Sequence, residues 1–91
     1  MDRTEFEATL HRDGYEIIAR DMKPSSVNPD HTHPFDARIM VVAGSLTLAI
    51  DGQRRTYGPG EWCAVVAGTL HAEESGPAGA SYVVGRLHRL A

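Results

Sequence analysis

Two imidazoles two residues apart, in His31-Thr32-His33, are the most chemically pointed feature of this chain. On an extended strand residues i and i+2 project to the same face, so both rings can enter one cavity and share one cation. The same triplet also arises on exposed loops, so its meaning depends on the elements that carry it. His11, His71 and His88 complete the histidines. His11 falls in a helical pattern and His88 in polar company near the C-terminus, and both are expected at the surface. Cys63 is the single cysteine. An intramolecular disulfide is therefore excluded, and a small domain without one must draw stability from a metal or from self-association.

The chain has 91 residues, 42% of them hydrophobic and 23% charged, which fits one globular domain rather than a disordered tail. Surface scaling gives roughly 5,200 Å2 folded against roughly 14,400 Å2 extended, so a monomer buries only about 64% of its surface. A homodimer is the expected answer to that shortfall. A formal charge of -3 and no basic block beyond Arg54-Arg55 argue against a nucleic-acid partner. The N-terminus has no basic and apolar leader pattern, and no apolar run approaches the ~20 residues of a membrane span. The expectation is a cytoplasmic protein with no membrane partner.

Thr4 and Glu7 have capping-box spacing, Phe6 and Leu10 lie one turn apart, and Gly14 can close a helix, which predicts α-helix over roughly residues 4 to 12. The run from Tyr15 to Arg20 then reads as a strand. Beyond it, glycines and prolines separate short β-prone runs: Arg38 to Ala43, Leu46 to Ile50, Arg54 to Tyr57, Trp62 to Val66 and Ser81 to Leu87. Asp51-Gly52 is a two-residue hairpin signal. The fold class is all-β, a small sandwich or barrel with a short N-terminal helix.

On that scaffold the histidines acquire context. Ser25, His31, His33, Ala37 and Gly44 follow the spacing of a first motif (G, five residues, HxH, three or four residues, E, six residues, G), with Ser25 at the glycine and Ala37 at the glutamate position. Gly60, Val66, Gly68, His71 and Ser75 follow a second (G, five residues, PxG, two residues, H, three residues, N), with Val66 and Ser75 as departures. The sequence thus resembles the cupin superfamily, in particular its small single-domain members, over roughly residues 25 to 75. The resemblance implies a double-sheet, jelly-roll β-barrel over residues 23–91, with the helix and strand of residues 1–22 packing on it or on a partner subunit.

The resemblance further implies one divalent transition metal held by His31, His33 and His71, of the kind Zn, Fe, Ni, Cu, Co or Mn, with open positions for water or ligand. Ala37 removes the usual carboxylate and would leave the site near +2, favouring an anionic small molecule. Asp36 replaces it only if a bulge turns that side chain inward. Glu73 lies two residues from His71 and shares its face if the strand continues. It is then a fourth ligand, a group orienting an imidazole, or a general base; otherwise it is a solvated strand end. Glu74 should point outward. Trp62 and Tyr82 either line the cavity or pack, Cys63 is a small core residue or a thiol near the metal, and Arg38 and Arg86 meet an anion or form ion pairs. The functions that follow are a metal-dependent enzyme on a small organic anion, of dioxygenase or isomerase type, or a ligand-binding sensor without turnover.

Overall fold

Asp2, not Thr4, starts the helix. In the computed structural model, which describes residues 1–88, α1 spans Arg3–Arg12, and the extended Asp2 accepts a 2.8 Å hydrogen bond from the Glu5 amide. A cap must lie outside the helical region, and the carboxylate also suits the positive end of the helix dipole. Thr4 is already in the first turn. Gly14, at φ +80°, ends the helix, and the Tyr15 amide reaches back to the Leu10 carbonyl at 2.9 Å.

Six strands follow among the described residues: β1 Glu16–Met22, β2 Val27–His31, β3 Phe35–Ile50, β4 Gln53–Tyr57, β5 Trp62–Val65 and β6 His71–His88. The short runs read from sequence are present, but five of the expected breaks are not breaks. β2 passes through Pro29, β3 through Gly44, and β6 through Gly76, Pro77 and Gly79. Residues 89–91 of the expected 23–91 barrel lie outside the described part.

These two long strands pair antiparallel along most of their length and build both layers of the barrel. In one layer the first half of β3 lies between β5 and the second half of β6, with β1 beyond. In the other, the second half of β3 lies between β4 and the first half of β6, with β2 beyond. The pairing register shifts between Val41 and Ala43 and between Gly44 and Leu46, where the strands pass from one layer to the other. Pro77 sits in the stretch of β6 between its two ladders, where its missing N–H is not needed.

Alternation divides the side chains. Ile39 and Val41 join Leu46, Leu48, Tyr57, Val65 and Tyr82 between the layers. Met40 and Val83 point the other way, against Phe6 and Leu10 of α1. The helix therefore closes the outer face of one layer. Asp51 and Gly52, at φ +52° and +75°, make the turn the sequence predicts between β3 and β4. Ser25 is at φ +52°. The place where the motif has a glycine is thus a left-handed backbone position, occupied here by a residue with a Cβ. No helix among the described residues is long and apolar enough to cross a membrane.

Gly44 is held by more than its dihedral, since a Cβ there would lie 2.1 Å from the Gly79 carbonyl oxygen, whereas one at Gly52 meets nothing within 4 Å. Both have φ +75°. Gly52→Ala is expected to lose about 1–2 kcal/mol from the left-handed backbone alone. Gly44→Ala should lose roughly 1–3 kcal/mol more through overpacking. Urea unfolding midpoints of the two variants measure the difference, and equal losses would show that the crossing has slack.

Candidate metal centre

His31 is the last residue of β2 and pairs with His71, the first residue of β6. That one cross-strand pair brings the two halves of the sequence pattern together. β2 stops before His33, so the second histidine of the triplet is not on a strand. The chain there is held by a 2.9 Å hydrogen bond from the Gly68 amide to the His33 carbonyl, and the His33 ring stacks on Phe35 at 4.6 Å and 19°. It still converges with the others. Glu73, on the same face of β6 as His71, is buried to 6% exposure rather than solvated.

The donor atoms meet closely. His31 Nε2 lies 3.2 Å from His33 Nε2, and Glu73 Oε1 lies 3.4 Å from both His31 Nε2 and His71 Nε2. His31, His33, His71 and Glu73 each offer one ligand atom, all within 4.8 Å of one another, so the four could hold a metal ion. Two ligands bound at about 2.0–2.1 Å in a tetrahedral site stand about 3.3 Å apart, which the closest three contacts match. His31 Nδ1 donates to the Pro29 carbonyl at 2.7 Å and His71 Nδ1 to the Thr69 carbonyl at 2.8 Å. Carbonyls only accept, so these bonds put the protons on Nδ1 and leave Nε2 free to ligate. Burial, then the neighbouring His31 and His71, hold His33 below its ordinary pKa, which favours the neutral ring a metal needs.

The cluster forms part of the wall of a cavity of about 250 Å3. Phe35, Ala37, Ile39 and Val84 give it an apolar side, and Arg20, Asn28, Tyr82 and Arg86 a polar one. Arg86 ion-pairs with Glu16 and lies over Phe35. Burial, then the charge of Glu73, raise the Tyr82 pKa, so its phenol keeps its proton.

Fold and site can now be set beside known proteins. The family model for the cupin domain matches residues 18–80. The chain belongs to the cupin family. Its barrel superimposes on a protein of unknown function from Rhizobium leguminosarum bv. viciae 3841, with TM-score 0.78 and 24% identity over 82% of this chain and 71% of that one. The cupin domain of an XRE family transcriptional regulator from Enterobacter cloacae gives 0.71 and 18%, covering 85% and 83%. A structure of oxalate oxidase gives 0.70 and 28%, covering 80% of this cupin but 41% of that chain. No curated protein sequence matches significantly.

In this cupin the carboxylate beside the histidines comes from β6, two residues after His71, and not from the motif position, where Ala37 lines the cavity. Asp36 is outside the cluster, and its Oδ1 accepts from the Ala67 amide at 2.9 Å. His11 and His88 are exposed. Glu74 points away from the cavity and pairs with Arg54. Trp62 is 45% exposed and tilts against Phe6 on the helix side, so of the two aromatics only Tyr82 lines the cavity. Arg38 also faces the helix side, bound to Asp13 at 2.7 Å and stacked over Tyr15. Arg20 was not singled out by the sequence reading. The signal was present, since Ile18, Arg20 and Met22 alternate on one face of β1 and Arg20 is the lone charge among them.

Cys63 packs against the main core. Burial, followed by the nearby Glu73 charge, pushes its thiol up to about 11. At pH 8 the folded protein should therefore react slowly with a thiol-directed reagent, and urea-unfolded protein at least tenfold faster, by roughly the change in thiolate fraction. Absorbance-monitored labelling measures both rates. Equal rates would place the thiolate in the folded state.

Proposed function

We propose that this cupin binds one divalent transition metal through His31, His33, His71 and Glu73 and acts there on a small organic anion. The observation that carries the reading is the approach of three imidazole Nε2 atoms and one carboxylate oxygen, with the rings of His31 and His71 oriented by backbone carbonyls. A three-nitrogen, one-oxygen donor set suits Zn, Fe, Ni, Cu, Co or Mn. When bound, such an ion supplies Lewis-acid polarisation of a ligand oxygen, activation of water, or oxygen chemistry.

The chain's own residues would do the rest. Glu73 offsets one unit of the metal's charge from the strand that also carries His71. Phe35, Ile39 and Val84 limit water on one wall. The Tyr82 phenol, which holds its proton, is a hydrogen-bond donor toward the cavity. A second reading, ligand binding without turnover, has its own support. Glu73 is committed to the donor cluster and Glu16 to Arg86, so among the described lining residues no carboxylate is left over as a general base. The likeness to the cupin domain of a transcriptional regulator is compatible with that use of the fold.

Metal analysis of protein purified without an affinity tag should give close to one equivalent of a transition metal. His71→Ala should lose most of it, and Glu73→Gln should weaken retention against a chelator by about 10–100-fold. The exposed His88→Ala is the control and should retain the wild-type content. Circular dichroism separates lost ligation from lost fold. Equal metal in wild type and His71→Ala, or none in either, would sink the site.

A further inference from the structure

Among the described residues the arginines are almost all engaged. Arg3 pairs with Glu7, Arg12 and Arg38 with Asp13, Arg54 with Glu74, and Arg86 with Glu16, while Arg55 lies over the Tyr57 ring. Arg20 is the exception. It makes no ion pair, hydrogen bond or ring contact with any described residue, yet it lines the cavity that holds the histidine cluster. The pleat puts it there, since Arg20 stands opposite Tyr82 across β1 and β6 and shares the inward face with Ile18 and Met22. The neighbouring Asp21 faces the other way and binds Ser81.

We propose that Arg20 is the anion anchor of this cavity, holding the carboxylate of a small organic acid whose second oxygen-bearing end reaches the metal. The inference rests on the metal reading above. Three donors from three strands line the same space: the Arg20 guanidinium from β1, the Asn28 amide from β2 and the Tyr82 phenol from β6. A guanidinium can grip a carboxylate through two parallel N–H bonds, and the amide and phenol can satisfy remaining lone pairs. Charge agrees. A divalent ion with Glu73 leaves +1 at one end and Arg20 gives +1 at the other, whereas Arg86 is already neutralised by Glu16. A ligand anionic at both ends matches that pattern.

Size and walls narrow the class. A volume of about 250 Å3 is room for on the order of eight waters at ~30 Å3 each. That admits a diacid or a hydroxy or oxo acid of a few carbons. Ala37, Ile39 and Val84 flank the space with carbon, which suits a short carbon backbone between two polar ends. Ala37 is also the smallest side chain on this wall, at the position where the motif has a glutamate.

Calorimetric titration of the metal-loaded protein with malonate, succinate and malate, and with neutral succinamide, tests this. At least one of the acids should bind at millimolar concentration or below, and succinamide should bind more weakly by about tenfold or more. Arg20→Gln should weaken the acid by a similar factor with metal content unchanged, Arg20→Lys should recover part of it, and Arg55→Gln should match wild type. Unchanged binding in Arg20→Gln, equal binding of succinamide, or no binding by any of the acids overturns the assignment. Metal content of the same samples separates the two readings: a loaded protein indifferent to Arg20 rejects the anchor alone, while a protein that takes up no metal rejects both.

Discussion

The pairing of β3 with β6 is the interaction on which the rest of the molecule depends. Each strand is too long for one layer of so small a barrel, and each contributes one half to either layer. The remaining four strands attach to this pair and not to one another. The main core and the helix-side core lie on opposite faces of the same ladder, so a one-residue slip would exchange Ile39 and Val41 with Met40 and turn both cores inside out. Gly44, packed on the Gly79 backbone, is where that ladder crosses from layer to layer. Two cores flanking one ladder explain how so short a chain without a disulfide is internally braced.

The donor cluster inherits its geometry from the same pair. His71 and Glu73 ride on β6 and arrive with the pleat spacing of one strand, while His31 and His33 come from the end of β2 and the turn after it. A carboxylate at residue 37 would enter from β3, in the opposite layer. Carrying it at residue 73 moves the negative charge to the same wall as His71 and leaves small carbon groups, Ala37 and Ile39, facing it across the cavity. The donor types are those of a three-histidine, one-carboxylate site, but the open side faces a different set of neighbours.

Much of this was legible in the residues themselves. Alternation in Leu46, Leu48 and Ile50 and the Asp51-Gly52 turn encode local geometry that survives folding unchanged, whereas His33 stands beyond the end of β2 and reaches His31 and His71 without the strand pleat. The misreadings have a common cause. Gly44, Gly76 and Gly79 look like strand ends because a glycine's freedom is visible in sequence, whereas the close contact that demands it, with backbone at Gly44 and Gly79 and with the Ser45 side chain at Gly76, is not. Asp2 displaced Thr4 as cap because several polar residues near a helix start can compete and only the backbone dihedral decides. The burial of Glu73 required knowing that it lies between Asn28 of β2 and Leu48 of β3, and the freedom of Arg20 required knowing that five other described arginines pair with acids while Arg55 lies over Tyr57.

β2 is the outermost strand of its layer, mostly exposed along its length, interrupted by a register shift after Asn28, and carries a proline. By ladder bonds alone it is the most easily peeled element of the barrel. Yet its last residue and the turn after it supply half of the donor cluster, and the central pair on β6 supplies the other half. An ion in that cluster would join the loosest strand to the firmest one with bonds stronger than those the ladder provides. The centre would then serve as a clasp, and the cavity edge beside Asn28 and Arg20 would be tightened or released by the state of the metal.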